Sequence, residues 1–376
     1  MLTTALPHLA NVLRSRAQEI DQLEVVAGFD GFVDEMTSVV EERTSLTTFQ
    51  PVASLATMAG YFQAAAGRSA LREIVIHRRD AGGCAVNLGD GIAALGVKLD
   101  YFGTIGTPRV PAFDAFAGVC RSCTAWGREP GRTLALEFTD GKYMLCSVSQ
   151  LAEFTPELLD RVLADGAFLT ACRRAKAIAI TNWTLYPHMT ACWKHLQKQV
   201  FSQLDHRPAF FFDLVDPSNR SSDDIRGMLA ALAGFTAHGE TTLGLNGNEG
   251  NAMARILGLA TCTEDPAALA TQAAAIRAAL KIDAVVIHGV HQAAVADAAG
   301  TAHAPTPFCA KPKKLTGAGD RFNAGYILGR CLGLDPRTRL FLGNATSGLF
   351  VRQARSASRG ELLALIENWA AGTLAD

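Results

Sequence analysis

Residues 314–325 read KLTGAGDRFNAG, and they carry the clearest chemical signal in the chain. Three small residues, Gly317, Ala318 and Gly319, form a turn that leads into a segment with helical periodicity of its apolar residues. Amide groups at a helix N-terminus have no partner inside the helix, so they make a site for an anion. Asp320 would repel that anion, unless its carboxylate takes a proton from an attacking hydroxyl group. The stretch therefore predicts phosphoryl transfer, with a helix cap formed by Asp320 as the alternative interpretation.

A second glycine-rich stretch, AGGCAVNLG at residues 81–89, precedes another helical pattern. Its adjacent glycines, Gly82 and Gly83, allow the backbone to approach a ligand closely. Asn87 offers both a donor and an acceptor one turn into the helix. Alone, this pattern is typical of an ordinary junction between a loop and a helix. Taken together and in this order, the two stretches resemble the two signatures of the PfkB (ribokinase-like) carbohydrate kinases, G-G-x-x-x-N and D-T-x-G-A-G-D-x-F.

The resemblance extends over most of the chain, from Val25 to Arg355, and implies an α/β fold. This would be a ribokinase-like three-layer αβα sandwich with a mostly parallel central sheet and a small β lid. The sequence itself favours a parallel sheet, because strand-like and helix-like segments alternate from Leu23 onward. We expect a single domain, 1–376, with the lid formed by residues 33–48, 74–80 and 132–147. A hairpin across Thr133–Cys146 is predicted from its central Asp-Gly turn.

The composition is that of a globular protein, with 376 residues of which 49% are hydrophobic and 19% are charged. A net charge of -1 predicts binding neither to nucleic acid nor to an anionic membrane surface. Nine cysteines are an odd number in a long chain, which favours reduced thiols. The first 20 residues have the spacing of an amphipathic helix rather than a signal sequence, so a cytoplasmic location is expected.

The resemblance implies ATP-dependent phosphorylation of a hydroxyl group on a small sugar or sugar-like substrate. Asp320 would act as the base, and the amides of residues 317–319 would stabilise the transferring phosphoryl group. Four residues would hold the acceptor: Asp34, Gly82, Gly83 and Asn87. Asp30 is the less favoured alternative to Asp34.

The resemblance also assigns residues to the nucleotide and its metal ion. Asn246 and Glu249 match the family's N-x-x-E motif and would support Mg²⁺, largely through water. Contacts to the nucleotide are expected from six residues: Asn246, Gly289, Thr316, Gly317, Gly319 and Asn344.

Several positions depart from the family pattern. Lys314 and Leu315 replace the Asp-Thr that opens the second signature, and Ile287 and Gln292 replace a Thr and a Gly in a nucleotide loop. Many relatives are activated by K⁺, held partly by the leading Asp, and the ammonium of Lys314 would supply a positive charge there without an ion. An ADP-dependent sugar kinase, a nucleoside or vitamin kinase and a non-catalytic ligand sensor remain open, as does a homodimer formed through the lid.

Overall fold

The computed structural model describes residues 2–375, which form fourteen strands and fourteen α-helices. The strands are β1 (Glu24–Gly28), β2 (Phe32–Arg43), β3 (Phe49–Pro51), β4 (Ile74–Gly82), β5 (Lys98–Gly103), β6 (Ser122–Ala125), β7 (Gly131–Phe138), β8 (Gly141–Ser147), β9 (Ala177–Thr181), β10 (Ala209–Asp213), β11 (Glu240–Asn246), β12 (Ala284–His288), β13 (Gln292–Asp297) and β14 (Gly300–Pro305).

The helices alternate with these strands along most of the chain. They are α1 (Leu2–Ser15), α2 (Ala17–Ile20), α3 (Leu55–Ala64), α4 (Cys84–Ala94), α5 (Asp114–Val119), α6 (Pro156–Leu163), α7 (Ala167–Arg174), α8 (Met189–Gln199), α9 (Ser222–Gly234), α10 (Gly247–Ile256), α11 (Pro266–Leu280), α12 (Ala318–Cys331), α13 (Pro336–Gln353) and α14 (Arg359–Ala371). Within the described residues, none of these helices combines the length and the apolar character that a membrane crossing requires.

A nine-stranded sheet forms the centre of the molecule, in the order β14-β13-β12-β11-β10-β9-β1-β5-β6. Its strands are parallel from β12 through β6, and β13 and β14 add an antiparallel edge. Side chains alternate between its two faces, so Val26 belongs to one apolar core, and Val25 and Ala27 belong to the other.

Helices cover both faces of this sheet. The first core packs against α6 to α11, and the second packs against α1, α4, α12, α13 and α14. The predicted three-layer αβα sandwich with a mostly parallel sheet is confirmed. The strands Ala177–Thr181 and Ala209–Asp213 are apolar along nearly their whole length. Such strands require burial on both faces of the sheet, and helices on both sides provide it.

A second sheet, here called the lid sheet, has the order β3-β2-β7-β8, with β4 also paired to β2. The predicted hairpin is confirmed as β7 and β8, joined at Thr139 and Asp140. Asp140 also caps α3, because its carboxylate accepts a hydrogen bond from the Leu55 amide at 2.9 Å. Strand β4 extends beyond the lid segment 74–80 expected from the sequence and ends at Gly82. The lid sheet thereby joins the glycine pair at the start of α4.

Candidate active site

The carboxyl ends of β1, β9, β10, β11 and β12 meet at one edge of the central sheet, where open α/β sheets bind their ligands. Helix α12 points its N-terminus toward this edge. Its N-cap is Gly317, which has φ +90°, a backbone conformation that residues with side chains rarely adopt. Residues 317–319 are here called the anion turn.

Asp320 lies in the first turn of α12, three residues after the N-cap, so its interpretation as the helix cap is wrong. Its side chain is buried and 8% exposed. Burial, and then the nearby charge of Asp213, raise the pKa of the Asp320 carboxyl to about 8, although Arg321 and a hydrogen bond from Asn87 act in the other direction. A carboxylate whose pKa lies near neutral pH has the properties of a general base.

The anion turn is closely packed on three sides. A methyl group on Gly317 would lie 2.9 Å from Nη1 of Arg321 and 3.5 Å from Nδ2 of Asn87. A methyl group on Gly319 would lie 3.0 Å from Cε1 of His288, whose ring also stacks on Phe322 with ring centres 4.9 Å apart. Glycine at both positions therefore leaves space above the turn between two fixed side chains. Within the turn, the Ala318 amide already donates to the carbonyl oxygen of Leu315 at 3.0 Å.

His288, the last residue of β12, lies directly under the anion turn. Burial lowers the pKa of its imidazole to about 4, so the ring stays neutral at physiological pH. The sequence signal that locates it is its position at the end of a buried strand, directly before Gly289. Its contribution is packing beneath Gly319.

Two further buried carboxyls lie beside Asp320. Asp213, at the end of β10, accepts hydrogen bonds from Nδ2 of Asn323 at 2.6 Å and from the Val215 amide at 3.1 Å. Burial raises its pKa, and burial together with the charge of Asp213 raises the pKa of Glu249. Sequence reasoning missed Asp213, although an acid that ends an apolar strand at the ligand edge is a recognisable signal.

Asn246 and Glu249 form a capping box at the start of α10. The Asn246 amide donates to Oε2 of Glu249 at 2.8 Å, and the Glu249 amide donates to Oδ1 of Asn246 at 3.0 Å. Within residues 2–375, neither Glu249 nor Asp213 nor Asp320 forms an ion pair with a basic side chain. A divalent cation would supply the positive charge that these buried carboxyls lack.

The described residues contain no group of three or more His, Cys, Asp or Glu arranged to hold a metal ion directly. Mg²⁺ keeps several water ligands and is bound through one or two carboxylates plus substrate phosphates. The donor set around Glu249 therefore fits Mg²⁺ held mainly through water and phosphate oxygens.

The acceptor side of the site is built from β2, β4 and the start of α4. Asp34 pairs with Asp80 across β2 and β4. Burial raises the pKa of the Asp34 carboxyl, while a hydrogen bond from Thr133 and the charge of Lys314 lower it. A methyl group on Gly82 would lie 2.2 Å from Oδ2 of Asp34, so Gly82 makes room for this carboxylate.

We expect Gly82→Ala to displace the Asp34 carboxylate and to raise KM for the acceptor at least tenfold, with KM for ATP unchanged. The reason is the 2.2 Å approach, which a side chain can relieve only by moving Asp34 away. Gly60→Ala is the matched control, because a methyl group there meets open space. Steady-state kinetics with each substrate varied separately provide the measurement. Equal acceptor KM values for wild type and Gly82→Ala would separate Asp34 from acceptor binding.

Asp30 has a different environment from Asp34. Its Oδ1 accepts hydrogen bonds from the Ala85 amide at 2.8 Å and the Thr181 hydroxyl at 2.7 Å. Its Oδ2 accepts from the Cys84 amide at 2.7 Å and from Nδ2 of Asn182 at 3.0 Å. A carboxylate has about four acceptor positions, and protein donors occupy all of them here. The sequence-based assignment of Asp30 as an alternative acceptor ligand is therefore corrected to a structural role.

On the other side of the anion turn lies a cavity of about 600 Å³. Four of the six expected nucleotide residues line it: Asn246, Gly289, Gly319 and Asn344. Nδ2 of Asn344 donates to the carbonyl oxygens of Ala304 and Pro305 at 3.2 and 2.9 Å, so this amide also fixes the end of β14. Thr316 and Gly317 belong to the adjoining loop and N-cap.

Lys314 lies on the acceptor side of the turn rather than in the cavity. Its ammonium is 5.8 Å from the ring centre of Phe350, and its charge acts on the Asp34 carboxyl. Burial, and then the charge of Arg321, lower its pKa. The cation in contact with the turn itself is Arg321, which sequence reasoning did not assign.

The geometry is that expected of a phosphotransferase: the buried Asp320 carboxyl and the anion turn lie between the polar residues at the start of α4 and a larger cavity. A model of the prokaryotic ketohexokinase family matches residues 3–369, and the chain belongs to this family of PfkB-type (ribokinase-like) carbohydrate kinases. The chain is 27% identical over 367 residues to a ketohexokinase of Haloferax volcanii, and the match covers 94% of each chain.

Solved structures support the fold. The ribokinase of Arabidopsis thaliana, in complex with ribose and ATP, matches with a TM-score of 0.63 at 16% identity, covering 92% of this chain and 99% of that one. The ribokinase of Cryptococcus neoformans, in complex with ADP, matches with a TM-score of 0.62 at 13% identity, covering 93% and 99%. These likenesses establish the shared architecture.

Proposed function

We propose that this protein transfers the γ-phosphoryl group of ATP to a hydroxyl group of a ketohexose. The main support is the position of Asp320, buried in the first turn of α12 between the anion turn and Asn87. A protein that only bound a ligand would have no use for an uncompensated carboxylate beside an anion site. The ketohexose is chosen because the family model and the relative from Haloferax volcanii carry that name.

In this proposal the acceptor hydroxyl lies next to Asp320, which takes its proton as the phosphoryl group transfers. Asp34 and Asn87 orient the acceptor, and the amides of Gly317 and Gly319 stabilise the negative charge on the transferring group, whereas the Ala318 amide is used by the Leu315 carbonyl oxygen. Asn246 and Glu249 would hold Mg²⁺, which neutralises phosphate charge when bound. The nucleotide occupies the cavity lined by Gly289 and Asn344.

The test is a panel of acceptors with either ATP or ADP as the donor. Fructose and other ketohexoses, aldohexoses, ribose, nucleosides and pyridoxal are each incubated with the protein, and the product is identified by ³¹P NMR. A ketohexose with ATP should give the highest kcat/KM. A higher value with ADP, with a nucleoside or with pyridoxal would overturn this assignment in favour of that alternative. No product from any pair would favour a ligand sensor.

Glu249→Gln should raise the Mg²⁺ concentration that gives half-maximal rate, because it removes the charge from a residue assigned to the outer sphere of the metal ion. Loss of such a partner weakens metal affinity by roughly 10–100-fold. Glu361→Gln is the control, because Glu361 occupies the same capping-box position at α14. Mg²⁺ titrations of the rate at saturating ATP compare the two variants. If the wild type and Glu249→Gln reach half-maximal rate at the same Mg²⁺ concentration, Glu249 does not belong to the metal site.

We also propose that two copies associate through the lid sheet. Its edge strand β8 exposes adjacent apolar residues, with Tyr143, Met144 and Leu145 at 52%, 38% and 45% exposure. Leu46 and Leu71, in the loops that precede β3 and β4 of the same sheet, are almost fully exposed. An unpaired edge strand with apolar side chains is suited to association.

The double substitution Tyr143→Lys with Leu145→Lys should convert the dimer to a monomer by charge repulsion. Val119→Lys is the control, because Val119 is 52% exposed but lies at the end of α5, outside the lid sheet. Sedimentation velocity at micromolar concentration measures both. A monomeric wild-type protein, or a double variant that remains dimeric, would contradict association through the lid.

A further inference from the structure

Arg321 is a buried cation directly behind the anion turn. It follows Asp320 in α12, and the residue is only 6% exposed. Nη2 donates to Oδ2 of Asp90 at 2.8 Å, and Nε donates to Oγ of Ser356 at 2.9 Å. The hydroxyl of Ser356 in turn donates to Oδ2 of Asp90 at 2.5 Å. The guanidinium is therefore fixed in one orientation by two partners from different parts of the chain.

An aromatic ring supports the same orientation. The guanidinium carbon lies 4.5 Å from the ring centre of Phe350 on α13, a distance at which the ring face attracts a cation. Asp90 and Ser356 use two of the three nitrogens, and the third, Nη1, faces Gly317. A methyl group on Gly317 would lie 2.9 Å from Nη1. The side of the guanidinium that carries Nη1 is thus packed against Gly317, the first residue of the anion turn.

The charge balance around Arg321 leaves a positive field at the turn. Its counter-ion Asp90 has a side chain that is 38% exposed, whereas the side chain of Arg321 is 8% exposed. Water screens the exposed carboxylate more than the buried guanidinium. Consistently, Arg321 lowers the pKa of Asp320 against the effect of burial. A second cation, Lys314, lies on the other side of the turn, where its charge acts on the Asp34 carboxyl.

Burial alone does not distinguish Arg321, because Arg339 is buried as well; Arg321 differs in that its Nη1 faces Gly317 of the anion turn. Desolvating an arginine is costly, and an apolar side chain of similar volume would fill the space between α4, α12 and α13 at lower cost. Arg339 provides the comparison. It is 2% exposed, paired with Asp297 and placed over the ring of Tyr326, but it lies away from the anion turn.

We propose that Arg321 is a positioning residue of the phosphoryl-transfer site: its guanidinium, anchored by Asp90 and Ser356, provides a fixed positive charge behind Gly317 that strengthens the anion turn toward the transferring phosphoryl group. The inference rests on the proposed kinase function and extends it, because it identifies a cation supplied by the chain itself. Since the charge is built in, the enzyme requires no monovalent cation for this purpose.

The test compares three substitutions with a matched control. Arg321→Met keeps the bulk and removes the charge, Arg321→Ala leaves a space for a free guanidinium ion, and Arg321→Lys keeps the charge without the fork geometry. Arg339→Met removes the other buried arginine. We expect Arg321→Met to lower kcat by roughly 10²-fold with KM for the sugar unchanged, the lower end for loss of one electrostatic contact. Arg321→Lys should fall between wild type and Arg321→Met.

Rescue distinguishes electrostatics from folding. Millimolar guanidinium chloride should raise the kcat of Arg321→Ala at least tenfold, and it should not raise that of Arg339→Met or of Asp320→Asn. Wild-type rates should be equal in potassium, sodium and tetramethylammonium chloride at matched ionic strength. The inference is overturned if guanidinium gives no rescue, if Arg339→Met loses as much kcat as Arg321→Met, or if the wild type needs potassium.

A separate measurement decides the inference if the wild type phosphorylates none of the acceptors, which would refute the proposed function. Calorimetric titration with a non-hydrolysable ATP analogue then compares affinities. Arg321→Met should bind it about tenfold more weakly than Arg339→Met, because the anion turn has lost its cation. Equal dissociation constants for these two variants would show that Arg321 contributes only to packing.

Discussion

Asp320→Asn should lower kcat by roughly 10²–10⁴-fold while leaving the affinity for ATP nearly unchanged, the range for loss of a general base. The amide has the shape of the carboxylate but accepts no proton from the acceptor hydroxyl. The anion turn and the cavity do not involve the Asp320 carboxylate, so nucleotide binding should persist. Single-turnover kinetics and calorimetric titration of ATP measure the two quantities.

The control for this substitution is Glu361→Gln, an acid at the corresponding position of α14 that does not line the cavity. For the wild type, kcat/KM should rise with pH up to about 8, since the pKa of Asp320 is raised to about 8 and only the ionised form accepts a proton. The Asn variant should lack this rise. If Asp320→Asn keeps more than a tenth of wild-type kcat, Asp320 is not the base.

The elements that the sequence predicted well are those whose signals are contiguous in the sequence, even where the contact that requires the residue joins distant positions, as for Gly82 and Asp34. Gly82, Gly83 and Gly317 each stand where a side chain would collide with a neighbour or require a strained backbone, so glycine there has a direct structural meaning. Alternation of apolar strands and helices predicted the layered sheet, because both faces of a parallel sheet must be covered. These signals lie within a few residues of one another, which makes them readable without the fold.

The residues that sequence reasoning missed have distant partners. Arg321 is fixed by Asp90, 231 positions away, and Asp213 binds Asn323, 110 positions away. No spacing rule connects such pairs before the fold is known. The hypothesis about Lys314 suffered from the same limit. It placed a built-in cation at the turn, and the structure puts Arg321 there, with Lys314 toward Asp34.

Asp30 is a further residue whose role depends on contacts with residues that are distant in the sequence. Asp30 and Asp34 both follow β1, four positions apart, and this spacing did not show which of them is free to bind a ligand. What distinguishes Asp30 from Asp34 is a set of hydrogen-bond donors in α4 and at the end of β9. These donors lie 54 to 152 positions from Asp30 in the sequence. Asp30 connects β1, α4 and β9, so it sets the positions of the acceptor loop and of the sheet edge.

Asp30→Asn should therefore lower the free energy of unfolding by about 2–6 kcal/mol, since two of its donors lose their acceptor and each buried donor left without a partner costs about 1–3 kcal/mol. Asp30 is fully buried, and four donors bond to its two carboxylate oxygens. An Asn side chain keeps only one oxygen acceptor, and its NH₂ group would stand opposite two of the donors. Asp265→Asn is the control. Asp265 makes a single N-cap hydrogen bond to the Ala268 amide at 2.9 Å, and Asn serves equally well at that position.

Urea unfolding followed by tryptophan fluorescence compares the two variants with the wild type, and the midpoint and slope are fitted separately. Asp30→Asn should also raise KM for the acceptor, because Gly83 packs against this carboxylate and α4 carries Asn87. The expected pattern is a large loss of stability with Asp30→Asn and almost none with Asp265→Asn. A loss below about 1 kcal/mol for Asp30→Asn, the size of an ordinary single hydrogen bond, would mean that its four donors find other partners. Normal stability with a large increase in acceptor KM would instead return Asp30 to the acceptor site.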